Sequence, residues 1–187
     1  MVYQNKYDKT GTCAEDGKRA EKNFERLYQQ RFGILPKKAS SYDDKEKHID
    51  YYMDLNTSKG FGRFSVDVKS WKKCENGVFV EFVSYGKLGW IYGEADFIGF
   101  ESPDMKSFKM VKRTALLDYV KEHCVVDFYS GRDIDFWRIH VRLKETEIKD
   151  EETNVRIQIG LYDCITKIPR DDLDLLDHWV LAEKEEQ

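Results

Sequence analysis

An acidic pair and a lysine occupy neighbouring stretches in which apolar and polar residues alternate. Asp67 and Lys69 lie two residues apart within 63–71, so a strand there would place both side chains on one face, about 7 Å apart. Asp50 lies on the polar face of the preceding alternating segment, 48–55. If the two strands pair as a hairpin, the carboxylates meet at one spot, and they would repel each other unless a cation lay between them. The pattern therefore indicates a cation site with a lysine beside it.

A third carboxylate lies on an amphipathic stretch. Residues 17–32 carry apolar side chains at helical spacing, which predicts one helix that ends near Gly33. Glu21 falls inside the apolar arc of this helix, where a carboxylate needs a partner. Glu25 lies at the edge of the arc and is easily solvated. Glu21 is therefore the third candidate ligand; the alternative is a boundary glutamate whose methylenes pack while its carboxylate reaches water.

These groups suit the hydrolysis of phosphodiesters. Mg²⁺ or Mn²⁺ held by carboxylate oxygens activates water and stabilises charge on the phosphate. A compact ammonium beside the metal orients the attacking water or neutralises the transition state. Taken alone, D-x-K in a strand is typical of an exposed salt bridge, so the hypothesis depends on Asp50 and Glu21 joining Asp67 and Lys69.

The elements that must position these groups are an N-terminal helix and a series of strands. A loop is expected over 36–47, before the strands 48–55 and 63–71, and the Asn76-Gly77 turn leads into a third strand, 78–83, which should continue a meander. The remaining predicted elements are strands 95–100 and 107–111, a helix over 112–123, a C-terminal hairpin formed by 137–143 and 155–162, and a short helix within 169–181.

The composition is that of a globular chain with a well-hydrated surface. Its 187 residues are 41% hydrophobic and 35% charged, which is compatible with one compact domain. No stretch of about 18 uncharged apolar residues occurs, and residues 1–10 lack the apolar run of a secretory signal, so we expect a cytoplasmic protein with no membrane partner. The four cysteines form no CxxC or CxxH pair for zinc, which favours reduced thiols.

The charge distribution bears on nucleic-acid binding. A net charge of -4 argues against a generally basic surface, because phosphate binding relies on Lys and Arg. This net charge is compatible with a local basic patch, which Lys69, Lys72, Lys73 and Lys87 would supply. Acidic residues are concentrated in the last third of the chain.

The order of these motifs resembles that of the PD-(D/E)XK nuclease superfamily. A helix of the form G-x-x-x-E, an acid on one strand and D-x-K on the next correspond to Gly17 with Glu21, Ile49-Asp50, and Asp67-Val68-Lys69. Glu81 with Tyr85 resembles the Q-x-x-x-Y element of some members, and Ala95-Asp96-Phe97 resembles a later strand that reads A-D-Y. Isoleucine stands where the name-giving proline would be, and glutamate replaces the usual glutamine at position 81. Neither change removes a metal ligand.

The resemblance implies an α/β, restriction-endonuclease-like fold with a mixed central sheet flanked by helices. The nuclease core would comprise residues 1–125. Residues 126–187 would form a β-rich extension, a hairpin and a short helix, packed on the same domain. The family core also has a strand after D-x-K, which 78–83 would supply.

The resemblance also implies a metal-dependent nuclease, with Mg²⁺ or Mn²⁺ as cofactor and DNA favoured over RNA as substrate. Glu21, Asp50 and Asp67 would hold the metal, Lys69 would position the attacking water, and Glu81 would assist from the neighbouring strand. The residues expected to contact nucleic acid are Lys72, Lys73, Tyr85 and Lys87. Nucleases that cut both strands commonly act as dimers, so a homodimer through residues 127–187 is a candidate assembly.

Two other classes of function are alternatives. One is a nucleic-acid or protein binding module on the same fold that has lost turnover, against which the intact acids argue. The other is an unrelated α+β interaction protein, whose mark would be a structure that separates Asp50 from Asp67. Trp71 and Trp90 offer rings for stacking on nucleobases, but buried core tryptophans are the more common case.

Overall fold

The chain folds as a mixed α/β protein, which confirms the class that the sequence predicts. A computed structural model describes residues 12–57, 60–71, 77–127, 136–149 and 156–183. In chain order the elements are α1 (Thr12–Phe32), β1 (Lys37–Lys38), α2 (Ser41–Lys47), β2 (Tyr51–Thr57), β3 (Gly60–Lys69), β4 (Gly77–Ser84), β5 (Lys87–Leu88), a first 3-10 helix (Trp90–Tyr92), β6 (Phe97–Glu101), β7 (Ser107–Lys112), α3 (Arg113–His123), β8 (Val125–Asp127), β9 (Arg138–Lys149), β10 (Arg156–Pro169), a second 3-10 helix (Arg170–Leu175) and β11 (His178–Ala182). Among the helices of these described segments, none has the length and apolar character needed to cross a bilayer.

The strands form two mixed sheets. The six-stranded sheet has the order β1-β2-β3-β6-β7-β11, and the five-stranded sheet has the order β5-β4-β10-β9-β8. β3 and β6 run parallel, as do β8 and β9, within otherwise antiparallel pairings. β9 and β10 form the predicted C-terminal hairpin. Strands of the predicted extension complete both sheets, because β10 pairs with β4 and β11 pairs with β7.

The prediction of a meander is wrong for its third strand, β4. β2 and β3 form the predicted hairpin, with Tyr51 opposite Val66. The other neighbour of β3 is β6, however, and β4 lies in the second sheet. The reason is visible in β6, where Ile98, Gly99 and Phe100 are all buried, as is typical of a strand inside a sheet that is covered on both faces. Two sheets therefore stand where the resemblance implies one central sheet.

Two shorter predictions also need correction. The loop expected over 36–47 contains β1 and α2, and α2 begins where the Ser40 hydroxyl accepts the backbone N–H of Asp43 at 3.1 Å. No residue of α2 is buried, so no apolar period could have indicated it. The predicted C-terminal helix is a 3-10 helix over Arg170–Leu175, and His178–Ala182 instead extends the six-stranded sheet as β11.

The six-stranded sheet is covered on both faces. α1 packs on one face through fully buried side chains that include Phe24, whose ring lies 5.5 Å from that of Tyr51 and 5.4 Å from that of Phe108. The other face, with Ile98 and Phe100, packs against α3, β4 and the first 3-10 helix. Val66 and Val68 of β3 belong to the α1 side. The residues that alternate with them on β3 therefore face the second sheet.

Candidate active site

Asp67 and Lys69 form an ion pair on the face of β3 that is turned away from α1. Lys69 Nζ lies 2.8 Å from Asp67 Oδ2, and the Asp67 side chain is 6% exposed. Within the part of the chain that the structure describes, this buried Oδ2 makes no hydrogen bond of good geometry, and its charged neighbour is the Lys69 ammonium. A buried carboxylate oxygen in this state has lone pairs suited to a hard cation.

Asp50, the residue immediately before β2, is fixed beside this pair. Its backbone N–H donates to the Val66 carbonyl and its carbonyl accepts the Ala39 N–H, both at 2.8 Å. Its carboxylate Oδ2 accepts the Val68 N–H at 2.7 Å. The carboxyl groups of Asp50 and Asp67 lie within hydrogen-bonding reach of each other. The structure thus brings together the two strand acids that the sequence places on adjacent strands.

The proximity of these groups changes how they titrate. Burial, and after it the charge of Asp67, raises the pKa of Asp50 to about 7. Burial also raises the pKa of Asp67, although the neighbouring Lys69 opposes this. For Lys69, burial alone would lower the pKa, but Asp67 and Asp50 together raise it. A divalent cation between the two carboxylates would replace the proton that Asp50 otherwise retains near neutral pH.

Glu21 lies near these acids but is engaged elsewhere. Its carboxylate is ion-paired with Lys38 of β1, and its side chain is 26% exposed. Its charge nevertheless reaches Asp50, whose pKa it raises. The neighbouring Glu25 accepts the Tyr51 hydroxyl at 2.9 Å. The predicted third ligand is thus close to Asp50 and is neutralised by a lysine.

The carboxylates at this site match part of the ligand set that a metal ion needs. Across the described residues, no group of three or more His, Cys, Asp or Glu side chains is arranged to hold a metal ion. Mg²⁺, however, is commonly bound through one or two carboxylates together with water and substrate phosphate. Asp50 and Asp67, whose carboxyl groups lie close together, meet that smaller requirement.

Glu81 approaches the site from the second sheet. It lies on β4, and its charge acts on both Asp67 and Lys69. Lys69 and Glu81 line a cavity of about 280 Å³, which is also lined by Trp90. The Lys69 ammonium lies 5.0 Å from the centroid of the Trp90 ring, and Trp90 is only 5% exposed. Trp90 is therefore a core residue that also supports the lysine.

The residues expected to contact nucleic acid are not brought together with Asp50, Asp67 and Lys69. Tyr85 follows β4 in a left-handed conformation (φ 50°), and its N–H donates to Asp163 at 2.7 Å. Lys87 is exposed on β5, where it pairs with Ser84. Neither Tyr85 nor Lys87 lines the cavity. Lys72 and Lys73 lie outside the described residues.

A buried carboxylate at the end of β6 was missed by sequence reasoning. Glu101 is fully buried and accepts Arg19 Nη1 at 2.8 Å and Nη2 at 2.7 Å, the Asn23 amide at 3.0 Å and the Trp71 N–H at 3.1 Å. Its backbone carbonyl accepts Arg170 Nη1 at 3.0 Å. The available signal was an acid closing an otherwise apolar strand, with Arg19 and Asn23 one helical turn apart on α1. These contacts tie α1, β6 and the second 3-10 helix together at one end of the cavity.

Comparison with known proteins identifies no relative of this chain. No family model matches the chain, and neither the curated proteins nor the solved structures include a significant match. The resemblance of the motifs to the PD-(D/E)XK superfamily therefore stays a prediction. The mark of the unrelated interaction protein, a separation of Asp50 from Asp67, is not what the structure has.

Proposed function

We propose that this chain is a metal-dependent nuclease whose reacting centre comprises Asp50, Asp67 and Lys69. The observation that carries the proposal is the close approach of the three groups, in which Lys69 Nζ lies 2.8 Å from Asp67 Oδ2 and Asp50 lies beside Asp67. A buried and a half-buried carboxylate that face one ammonium are poorly stabilised without a further cation. The order of the motifs supports the same proposal through its resemblance to the PD-(D/E)XK superfamily, whose fold is restriction-endonuclease-like.

Asp50 and Asp67 would hold the metal in this proposal. Bound there, Mg²⁺ or Mn²⁺ would activate water and offset charge on the phosphate. Glu21 would become a third ligand after exchanging its ion pair with Lys38, which leaves it within electrostatic range of Asp50. The Val68 N–H holds the Asp50 carboxylate in place for this role.

Lys69 would carry the positive charge that acts on the substrate. Asp67 and Asp50 raise its pKa, so it stays protonated at neutral pH. The ammonium would donate to the attacking water or to a phosphate oxygen, where a fixed donor stabilises developing negative charge. Glu81, facing the lysine from β4, would help to orient it.

DNA is the substrate that we propose. Contacts to the strand would come from Lys72, Lys73, Tyr85 and Lys87, and cutting of both strands would call for a homodimer. The experiment is cleavage of supercoiled plasmid and of branched DNA with Mn²⁺, Mg²⁺ or EDTA, comparing the wild type with Asp67→Asn. Asp54→Asn is the matched control, because Asp54 lies on β2 and is paired with Arg63 at the surface.

The outcomes of this experiment separate the candidate functions. Metal-dependent cutting that is lost in Asp67→Asn and kept in Asp54→Asn would support the nuclease. Absence of cutting on DNA and on RNA, with every metal, would overturn it.

A binding module without turnover is the second candidate. It is favoured by the ion pair of Glu21 with Lys38, which occupies the carboxylate that a three-acid metal site would need. This candidate predicts that millimolar Mn²⁺ does not bind, and that Asp67→Asn leaves nucleic-acid binding unchanged. Calorimetric titration of the wild type with Mn²⁺ separates the two candidates.

A further inference from the structure

The Lys38 ammonium lies among three carboxylates. It is ion-paired with Glu21 of α1, which is also the predicted third metal ligand. Burial alone would lower the pKa of Lys38, but Glu21 raises it, as do Asp50 and Glu25 to a smaller extent. A positive charge that belongs to the chain itself therefore already lies beside the acids of the proposed metal site.

Contacts with Tyr51 hold this lysine in place. Lys38 lies directly opposite Tyr51 in the pairing of β1 with β2. The Lys38 Nζ lies 3.4 Å from the Tyr51 hydroxyl and 5.0 Å from the centroid of the buried Tyr51 ring. The same hydroxyl donates to Glu25 Oε1 at 2.9 Å. The fixed ring thus keeps the ammonium within reach of the carboxylates that α1 presents.

The other lysine of β1 has a different environment. Successive side chains of a strand point to opposite faces, and Lys37 lies opposite Tyr52. Its charge acts on Asp54, whose pKa is lowered chiefly by Arg63 and further by Lys37. Lys38 is therefore the lysine of β1 that is directed at the proposed metal ligands, and Lys37 offers a matched control on the same strand.

A metal ion and the Lys38 ammonium require the same carboxylate. Glu21 must give up its ion pair before it binds a divalent cation, because two positive charges repel each other at short range. The side chain of Lys38 is 60% exposed, and that of Glu21 is 26% exposed. The ammonium can therefore move into water without opening the core.

We propose that Lys38 competes with the metal ion for Glu21 and thereby sets the metal affinity of the site. In the metal-free protein Lys38 neutralises Glu21, and it leaves that carboxylate when Glu21 becomes the third ligand. The inference deepens the proposed nuclease function and rests on it for the identity of the metal site. Its consequence is that the site fills only at a higher metal concentration than its carboxylates alone would require.

Calorimetric titration of the full chain with Mn²⁺ alone tests the competition. We expect Lys38→Met to bind Mn²⁺ roughly fivefold more tightly than the wild type, because the metal no longer has to displace a partly exposed ion pair. Lys38→Arg keeps the charge, and Lys37→Met removes a charge from the other face of β1, so both should bind as the wild type does. Unchanged affinity in Lys38→Met, or an equal gain in Lys37→Met, would overturn the proposal.

A second pair of variants assigns the effect to Glu21. In a Glu21→Gln background the carboxylate for which Lys38 and the metal compete is absent, so adding Lys38→Met should yield little of the gain seen in the wild-type background. An equal gain in both backgrounds would contradict competition at Glu21. Damage to the fold cannot imitate the expected result, because damage weakens metal binding. Lys38→Gln should show the same gain as Lys38→Met, which covers the case in which the methionine variant does not fold.

A cleavage assay with the same proteins separates this inference from the nuclease proposal. Metal-dependent cutting by the wild type, with equal Mn²⁺ affinity in Lys38→Met, would retain the nuclease and overturn the competition. A wild type that neither cuts nor binds Mn²⁺, beside a Lys38→Met protein that binds it, would retain the competition and overturn the nuclease. Absence of Mn²⁺ binding in both proteins would overturn both.

Discussion

The backbone N–H of Val68 donates to Asp50 Oδ2 at 2.7 Å. Val68 is the central residue of the Asp67-Val68-Lys69 motif, so the motif holds the acid of the neighbouring strand through its own main chain. The Asp50 side chain is thereby fixed in contact with Asp67. The two acids and the lysine consequently behave as one unit, and each prediction at this site depends on the other members.

Replacing Asp50 should stabilise the metal-free protein above neutral pH. Its folded-state pKa is raised from the ordinary value to about 7, chiefly by burial and then by Asp67, against the opposing charge of Lys69. Below the pKa that Asp50 has in the unfolded chain, the carboxyl is protonated in both states and its contribution to stability is fully present. That contribution is lost as the pH rises through about 7, because the carboxyl must then ionise inside the folded protein. Asp50→Asn keeps an acceptor for the Val68 N–H and carries no charge. Its free energy of unfolding at pH 8 should exceed that of the wild type by roughly 2–4 kcal/mol, since one pKa unit corresponds to about 1.4 kcal/mol.

Urea unfolding in EDTA at pH 8 and at pH 4 measures this difference. At pH 4 the gain should nearly vanish, because the wild-type carboxyl is then protonated in the folded protein. The control is Asp54→Asn, where Arg63 lowers the pKa of the carboxyl and no gain is expected at pH 8. A wild type that is as stable as Asp50→Asn at pH 8 would contradict the electrostatic account of the site.

Removing Arg19 should destabilise the fold through Glu101. Arg19→Met takes away both charge-assisted hydrogen bonds to a carboxylate whose side chain is fully buried, and leaves it with Asn23 and the Trp71 N–H. We expect the free energy of unfolding to fall by roughly 1–3 kcal/mol. Arg26→Met on the same helix is the control, because its ion pair with Glu183 is exposed at both partners and is worth at most about 1 kcal/mol. Equal losses in the two variants, measured by chemical unfolding, would argue against a special role for the buried pair.

The docking of α1 should depend on Phe24. This ring is fully buried between α1 and the six-stranded sheet, so Phe24→Ala leaves a cavity and should lower the free energy of unfolding by roughly 3–5 kcal/mol. Phe61→Ala, at an exposed ring, should change it by less than about 0.5 kcal/mol. Thermal unfolding followed by circular dichroism compares the two. A Phe24→Ala protein as stable as Phe61→Ala would show that α1 does not pack on the sheet in this way.

The sequence predicts the face of a strand on which a side chain lies better than it predicts which strands pair with each other. Alternation identified β2, β3 and the side of β3 that carries Asp67 and Lys69, because the direction of a strand side chain depends only on its position in the strand. It could not show that β4 lies in the second sheet and pairs with β10, since alternation shows which side chains share a face and does not name the partner strand. Pattern alone also gave Glu21 no partner. Lys38, which pairs with it, lies on a two-residue strand that carries no periodic signal.

The buried network around Glu101 shows the same limit. Arg19 and Glu101 are far apart in sequence, and only the packing of α1 on the sheet end brings them together. Local spacing therefore identified the acids on adjacent strands and missed the acid whose partners come from distant elements.

The most direct measurement of the central claim is the single-turnover rate of DNA cleavage with Mn²⁺ in Lys69→Met against the wild type. We expect a loss of roughly 10²–10³-fold, typical of removing a donor that stabilises the transition state, with Mn²⁺ binding retained. Lys45→Met, at an exposed lysine of α2, should cut at the wild-type rate. Cleavage by Lys69→Met at the wild-type rate would show that the ammonium beside Asp67 has no part in the reaction.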